Sequence, residues 1–145
     1  MTAFSGSFAG KARLQTTVSL FDTANHELNL MEVRGLQKST DPGWHGSTVT
    51  YWGLADLQAG SGSQRGYYVN ERANGDRDWG TFEGRITASG GQVTLEGTWT
   101  FAGGTGKLHG ITGGGSYRGR MTSLVEVEME WAGEYHGLKP KAAAG

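Results

Sequence analysis

The chain has 145 residues with 26 glycines, two prolines and no cysteine, and 13 basic against 14 acidic residues leave a formal net charge of −1. That length suits one domain with its own core. The missing cysteines exclude disulfides and thiolate metal sites, and the balanced charge argues against a nucleic-acid partner, which needs a concentrated basic face. The stretch MTAFSGSFAGKARLQ lacks the apolar run of a secretion signal, and no segment approaches the ~20 apolar residues of a membrane span, so a soluble, cytoplasmic protein with no membrane partner is expected.

No window carries a sustained 3.6-residue apolar repeat, whereas period-two alternation recurs from about residue 11 to residue 135. The predicted strands are 11–20, 26–38, 48–57, 65–72, 77–87, 92–101, 113–122 and 125–135, separated by DTAN, DPGWHG, AGSGSQ, NGD and SGG, which tolerate turn geometry. Eight antiparallel strands with short links suggest a closed barrel, which leaves no unpaired edge; a two-sheet sandwich is the competing architecture. The domain is expected to span 1–138, with 139–145 a flexible tail.

In the second predicted strand, alternation sets His26, Leu28, Leu30, Glu32 and Arg34 on one face, and Glu27, Asn29, Met31 and Val33 on the other. If the leucine-bearing face lines a barrel, Glu32 points into an apolar cavity, where desolvation raises a carboxyl pKa and Arg34 opposes the rise. The plainer reading of the two is a structural ion pair at the barrel mouth. Strands three to five concentrate aromatic and polar residues in TVTYWGLADL and GYYVNERANGDRDWGTFEG. One register puts Trp52, Leu54, Tyr68, Asn70 and Trp79 on faces that meet in the lumen, as a small-molecule pocket requires; packing alone is the competing role for each ring. A bulge at Gly53, Gly66 or Gly80 would flip the assigned face.

After strand six comes WTFAGGTGKLHGITGGGSYRGR. A phosphate loop needs Ser or Thr after Gly106-Lys107 and finds Leu108; a dinucleotide fingerprint starting at Gly104 meets His109 where its third glycine belongs. The run reads instead as a corner, with one loose helical turn over 104–110, after which Gly113, Gly114 and Gly115 let strand seven pass a neighbour closely. Strand eight, VEVEMEW, places Glu126, Glu128 and Glu130 on one face, which reads as solvated. The four histidines show no paired-ligand spacing and no G-x-S-x-G elbow occurs, so no metal site and no serine nucleophile is expected.

The segment GQVTLEGTWTFAGGTGKLHGITGGGSYRGR with the closing strand VEVEMEWAGEY resembles the C-terminal half of the allene oxide cyclase and dirigent barrels, over roughly residues 75–135. The resemblance implies an eight-stranded antiparallel barrel with an apolar lumen. Upstream, HELNLMEVRGLQKSTDP resembles the first strand of the plant cyclases, which maps Glu32 onto a lumen glutamate, Arg34 onto an asparagine and Pro42 onto a proline displaced by one residue. Asparagine has become arginine, and the family's lumen cysteine has no match.

Together these readings predict a cofactor-free cyclase or isomerase for a largely apolar, oxygen-bearing small molecule. Glu32 and Arg34 would be catalytic, and Leu28, Leu30, Pro42, Trp52, Leu54, Tyr68, Asn70 and Trp79 would line the substrate site. The alternatives are a non-catalytic carrier with the same lumen, or a dirigent-like orienting protein. The resemblance also implies self-association, as a dimer or trimer, through outer faces carrying Tyr67, Val69 or Val93.

Overall fold

The computed structural model describes residues 1–137; the tail assigned to 139–145 lies outside them. Eight strands, β1 (Thr2–Leu20), β2 (His26–Ser39), β3 (Thr48–Gln58), β4 (Ser61–Glu71), β5 (Arg77–Ser89), β6 (Gln92–Gly104), β7 (Thr112–Met121) and β8 (Glu126–His136), pair antiparallel in chain order and close into a barrel. The seam is β1 against β8, from Thr2↔Tyr135 to Lys11↔Glu126. The barrel is therefore realised, and the sandwich is not.

Two strands begin earlier than the sequence pattern predicts. β1 starts at Thr2 because its lumenal positions are Phe4, Gly6, Phe8 and Gly10, and glycines at alternate places blank out the apolar period. β4 starts at Ser61 because its turn is only Ala59-Gly60, at φ 52° and 87°, the paired positive values of a tight hairpin turn. The helical turn in the glycine-rich corner is shorter than expected, a 3₁₀ turn over Gly106–Leu108. The close passage of β7 is as expected: a Cβ on Gly113, Gly114 or Gly115 would collide with the carbonyls of Glu134, Trp99 or Ala132 respectively.

Glycines and rings share the lumenal face. Tyr68 lies across Gly80, Tyr117 across both Gly84 and Gly97, Phe82 across Gly66, Trp131 across Gly6 and Trp99 across Gly133. A cross-strand glycine leaves a bare patch of wall on which a neighbouring ring lies flat, so a narrow barrel holds many aromatics. The rings then meet mostly edge to face, as Trp99 with Phe101 (centroids 5.1 Å, 84°) and Tyr51 with Phe82 (5.6 Å, 90°), the arrangement that their quadrupoles favour.

The two ends are sealed differently. At the end bearing the longer loops, residues 40–47 fold inward and bury Trp44, held by Gly43 N–H to Asp41 Oδ1 (2.8 Å), Trp44 N–H to the Asp41 carbonyl (3.0 Å) and Ser47 Oγ to the Trp44 carbonyl (2.6 Å). Leu108 and Ile111 of the glycine-rich corner are buried as well. Toward the short turns, Val33, Leu95 and Val127 fill the tube.

Candidate ligand cavity

Between these two plugs is a cavity of about 80 Å³. Its wall is mostly aromatic, with Phe4, Phe8, Tyr51, Phe82, Trp99 and Phe101 prominent, and its polar groups come from Gln37, Gln64, Tyr68, Asn70 and Tyr117.

Most of those polar groups are committed to one another. Trp131 Nε1 donates to Gln37 Oε1 (2.8 Å), Gln37 Nε2 to Asn70 Oδ1 (3.1 Å), and Asn70 Nδ2 to Asp78 Oδ1 (2.9 Å). Trp44 Nε1 closes the chain on Asp78 Oδ2 (2.8 Å). Each amide accepts from one neighbour and donates to the next, so the run has a single sense and ends on a carboxylate that accepts from both sides. Separately, Gln64 Nε2 donates to Tyr117 Oη (2.8 Å).

Asp78 is fully buried. Burial pushes its carboxyl up to about 6, against the pull of the Asn70 and Trp44 hydrogen bonds and the Arg72 charge. The Arg72 guanidinium carbon stands 4.5 Å from the centre of the Trp44 ring, a cation–π contact over the inserted loop. Burial first, and the Asp78 charge second, push the Tyr68 phenol far upward, so it stays protonated and keeps an O–H to donate. Its hydroxyl is buried and has no hydrogen-bond partner among the described residues, although Tyr68 lines the cavity. Burial also raises the Tyr117 phenol to about 12.

Of the residues expected in the lumen, Tyr68 and Asn70 are there. The faces assigned to β2 and β3 are reversed. Met31, Val33 and Gln37 point inward on β2, whereas Leu28, Leu30, Glu32 and Arg34 lie on the outer face, with Leu30 and Arg34 exposed. Glu32 accepts a hydrogen bond from Trp52 Nε1 (2.7 Å) on the outside of the wall, and Arg34 Nε donates to Thr50 Oγ1 (3.2 Å). Glu32 and Arg34 form no ion pair among the described residues. On β3, Tyr51 and Val49 face the cavity while Trp52 and Leu54 face out. Trp79 is also outside, over Gly103, and Pro42 is exposed in the inserted loop.

The reversal has a register cause. Tyr51 pairs with Tyr68 and Asn70 with Asp78, and directly opposed residues share a face. Once Tyr68 is inside, Tyr51 must be inside and Trp52 outside. None of the three suspected glycines holds a bulge: opposite the Trp79/Gly80 step the extra residue is Ala102 on β6, and β1 holds another at Arg13, between Ala12 and Leu14. The sequence reading missed Gln37, Trp44, Gln64, Asp78, Tyr117 and Trp131, yet a signal for their strands was present. In the lumenal phase glycine on one strand repeatedly faces an aromatic ring on the next, as Gly80 faces Tyr68 and Gly66 faces Phe82, with Trp79 over Gly103 the outer-face exception.

Outside the lumen, Glu128 and Glu130 pair with Arg120 (3.2 Å) and Arg118 (3.4 Å) on a solvated wall. His26 sits between Asp22 (Nδ1, 2.7 Å) and Asp56 (Nε2, 2.6 Å). Among the described residues no helix is long and apolar enough to cross a membrane. No protein-family model matches the chain, and no curated protein matches it either.

Proposed function

We propose that the barrel binds one compact, largely apolar molecule carrying an oxygen acceptor, and promotes its isomerisation or cyclisation without a cofactor, as the resemblance to the allene oxide cyclase and dirigent barrels implies. The observation that carries this reading is Tyr68 in the wall of the aromatic cavity, whose hydroxyl, packed against Gly80, is a neutral donor without a partner among the described residues. A buried donor left unpaired costs about 1–3 kcal/mol, and a ligand carbonyl, ether or epoxide oxygen would recover that energy. The cavity is well under the roughly 300–1,000 Å³ of ordinary ligand sites, which favours a compact guest over a long chain. In this reading Tyr68 polarises the guest's oxygen, the aromatic wall fixes its folded shape, and Asp78 sets the electrostatics through Asn70.

The carrier reading has its own support: Asp78 has both oxygens occupied and does not line the cavity, so among the described residues no free carboxylate faces the guest.

Native mass spectrometry of protein purified from its own host tests the proposal. A stoichiometric small compound is expected on the wild type and on Glu32→Gln, and a compound bound at least 10-fold more weakly is expected on Tyr68→Phe. Equal retention by Tyr68→Phe would remove the donor role. Conversion of the recovered compound on re-addition separates enzyme from carrier.

A further inference from the structure

The barrel does not use the whole of β1. Pairing with β8 ends at Lys11↔Glu126, and the last backbone bond on that side is Ala12 N–H to the Val125 carbonyl (2.7 Å). At the bulge between Ala12 and Leu14, β1 leaves the wall and continues to Leu20 paired with β2 alone. Among the described residues nothing pairs with the other edge of residues 13–20. An open strand edge presents a row of unpaired donors and acceptors and is a template for another strand. This one, RLQTTVSL, has no proline and no glycine, and its only charge is Arg13.

We infer that this edge pairs with the same edge of a second copy, antiparallel, with Thr16 opposite Thr16. In that register Leu14 faces Val18, Gln15 faces Thr17 and Arg13 faces Ser19, so apolar meets apolar, polar meets polar and no like charges oppose. Leu14 and Val18, 50% and 51% exposed, become cross-strand partners. The ladder ends where Val125 already occupies the edge beside Ala12. The turn after Leu20 of the second copy then brings its Phe21 beside Leu124 and Val125; Phe21 and Leu124 are 100% and 88% exposed in the single chain. One two-fold axis thus accounts for the free backbone and for four exposed apolar side chains.

Sedimentation velocity and a single introduced thiol test this on the full chain, which contains no cysteine of its own. A dimer is expected, and Val18→Lys should weaken it at least 10-fold while leaving the far-ultraviolet circular dichroism unchanged. Thr16→Cys should form a disulfide-linked dimer under mild oxidation, since opposed Cα atoms in an antiparallel pair stand about 4.5–5.5 Å apart, within disulfide reach. Thr98→Cys, on the outer face of β6, should not cross-link. A monomer at all concentrations, or a dimer untouched by Val18→Lys and not captured by Thr16→Cys, overturns the inference.

Discussion

The indole of Trp44 donates a 2.8 Å hydrogen bond to the carboxylate of Asp78, joining the loop that stoppers the barrel to the start of β5. The carboxylate therefore has a structural duty, holding the stopper, whatever it does for a ligand. Its desolvation is a standing cost, offset by the contacts that it organises.

The Asp78 carboxyl titrates at about 6 in the fold against 3.8 for an ordinary aspartate. Between those values the folded chain binds the proton more readily than the unfolded chain, so stability falls as pH rises from about 4 to about 6 and then levels off. The drop is about 3 kcal/mol for a shift of about two units. Urea titrations at pH 4, 5, 6 and 7 should show the wild type losing that much relative to Asp78→Asn, which cannot titrate. A pH-independent difference between the two proteins would show that Asp78 ionises as it does in the unfolded chain.

Tyr68→Phe should stabilise the ligand-free protein by about 1 kcal/mol, because it deletes a buried hydroxyl that has no partner among the described residues. Most core substitutions act the other way. Chemical denaturation of protein stripped of any guest gives the sign directly, and a loss of stability would mean that the hydroxyl is already satisfied.

Gly84→Ala should destabilise by about 2–4 kcal/mol, since the new methyl would stand 2.6 Å from Tyr117 Oη and run into the Glu96 carbonyl. The double variant with Tyr117→Phe should recover little, because the backbone collision remains. Full recovery in a thermal melt would locate the whole conflict at the phenol.

His26 bridges Asp22 in the β1–β2 turn and Asp56 on β3, and those hydrogen bonds raise its pKa above 6.5 while His26 lowers that of Asp22 below 3.8. For the histidine, the stabilisation is complete below pH 6.5 and is lost as pH rises through the raised value. For Asp22 it is lost as pH falls through the lowered one. An NMR titration of the His26 ring should give a midpoint above 6.5 that moves down in Asp56→Asn. A midpoint at or below 6.5 in the wild type would mean that the bridge does not persist in solution.

Part of the site could be read before the fold was seen, because β4 keeps a clean alternation: with Tyr68 inside, Asn70 follows two residues on, while Gln64, on the same face, lies outside the predicted strand 65–72. On β2 the same reasoning fails. The leucines of HELNLMEVRGLQ are the more apolar set and suggest a core face, yet Leu28 and Leu30 are outside, and Leu36 is 64% exposed. The lumenal set is Met31, Val33, Gly35 and Gln37, which looks polar in the sequence because one member is a glycine and another an amide that the Asn70–Asp78 chain satisfies.

From the amino-acid order alone came the strand count, the antiparallel sense and the close passage of Gly113–Gly115, all of which depend on local alternation and on backbone that tolerates no Cβ. Which side of each strand faces inward was settled only in three dimensions. Period two offers two equivalent phases, and the choice between them is made by cross-strand partners such as Tyr51 with Tyr68. The Asp78 network belongs to the same category: Trp131, Gln37, Asn70, Asp78 and Trp44 are scattered along the chain, and only closure of the tube brings their polar groups within hydrogen-bond reach.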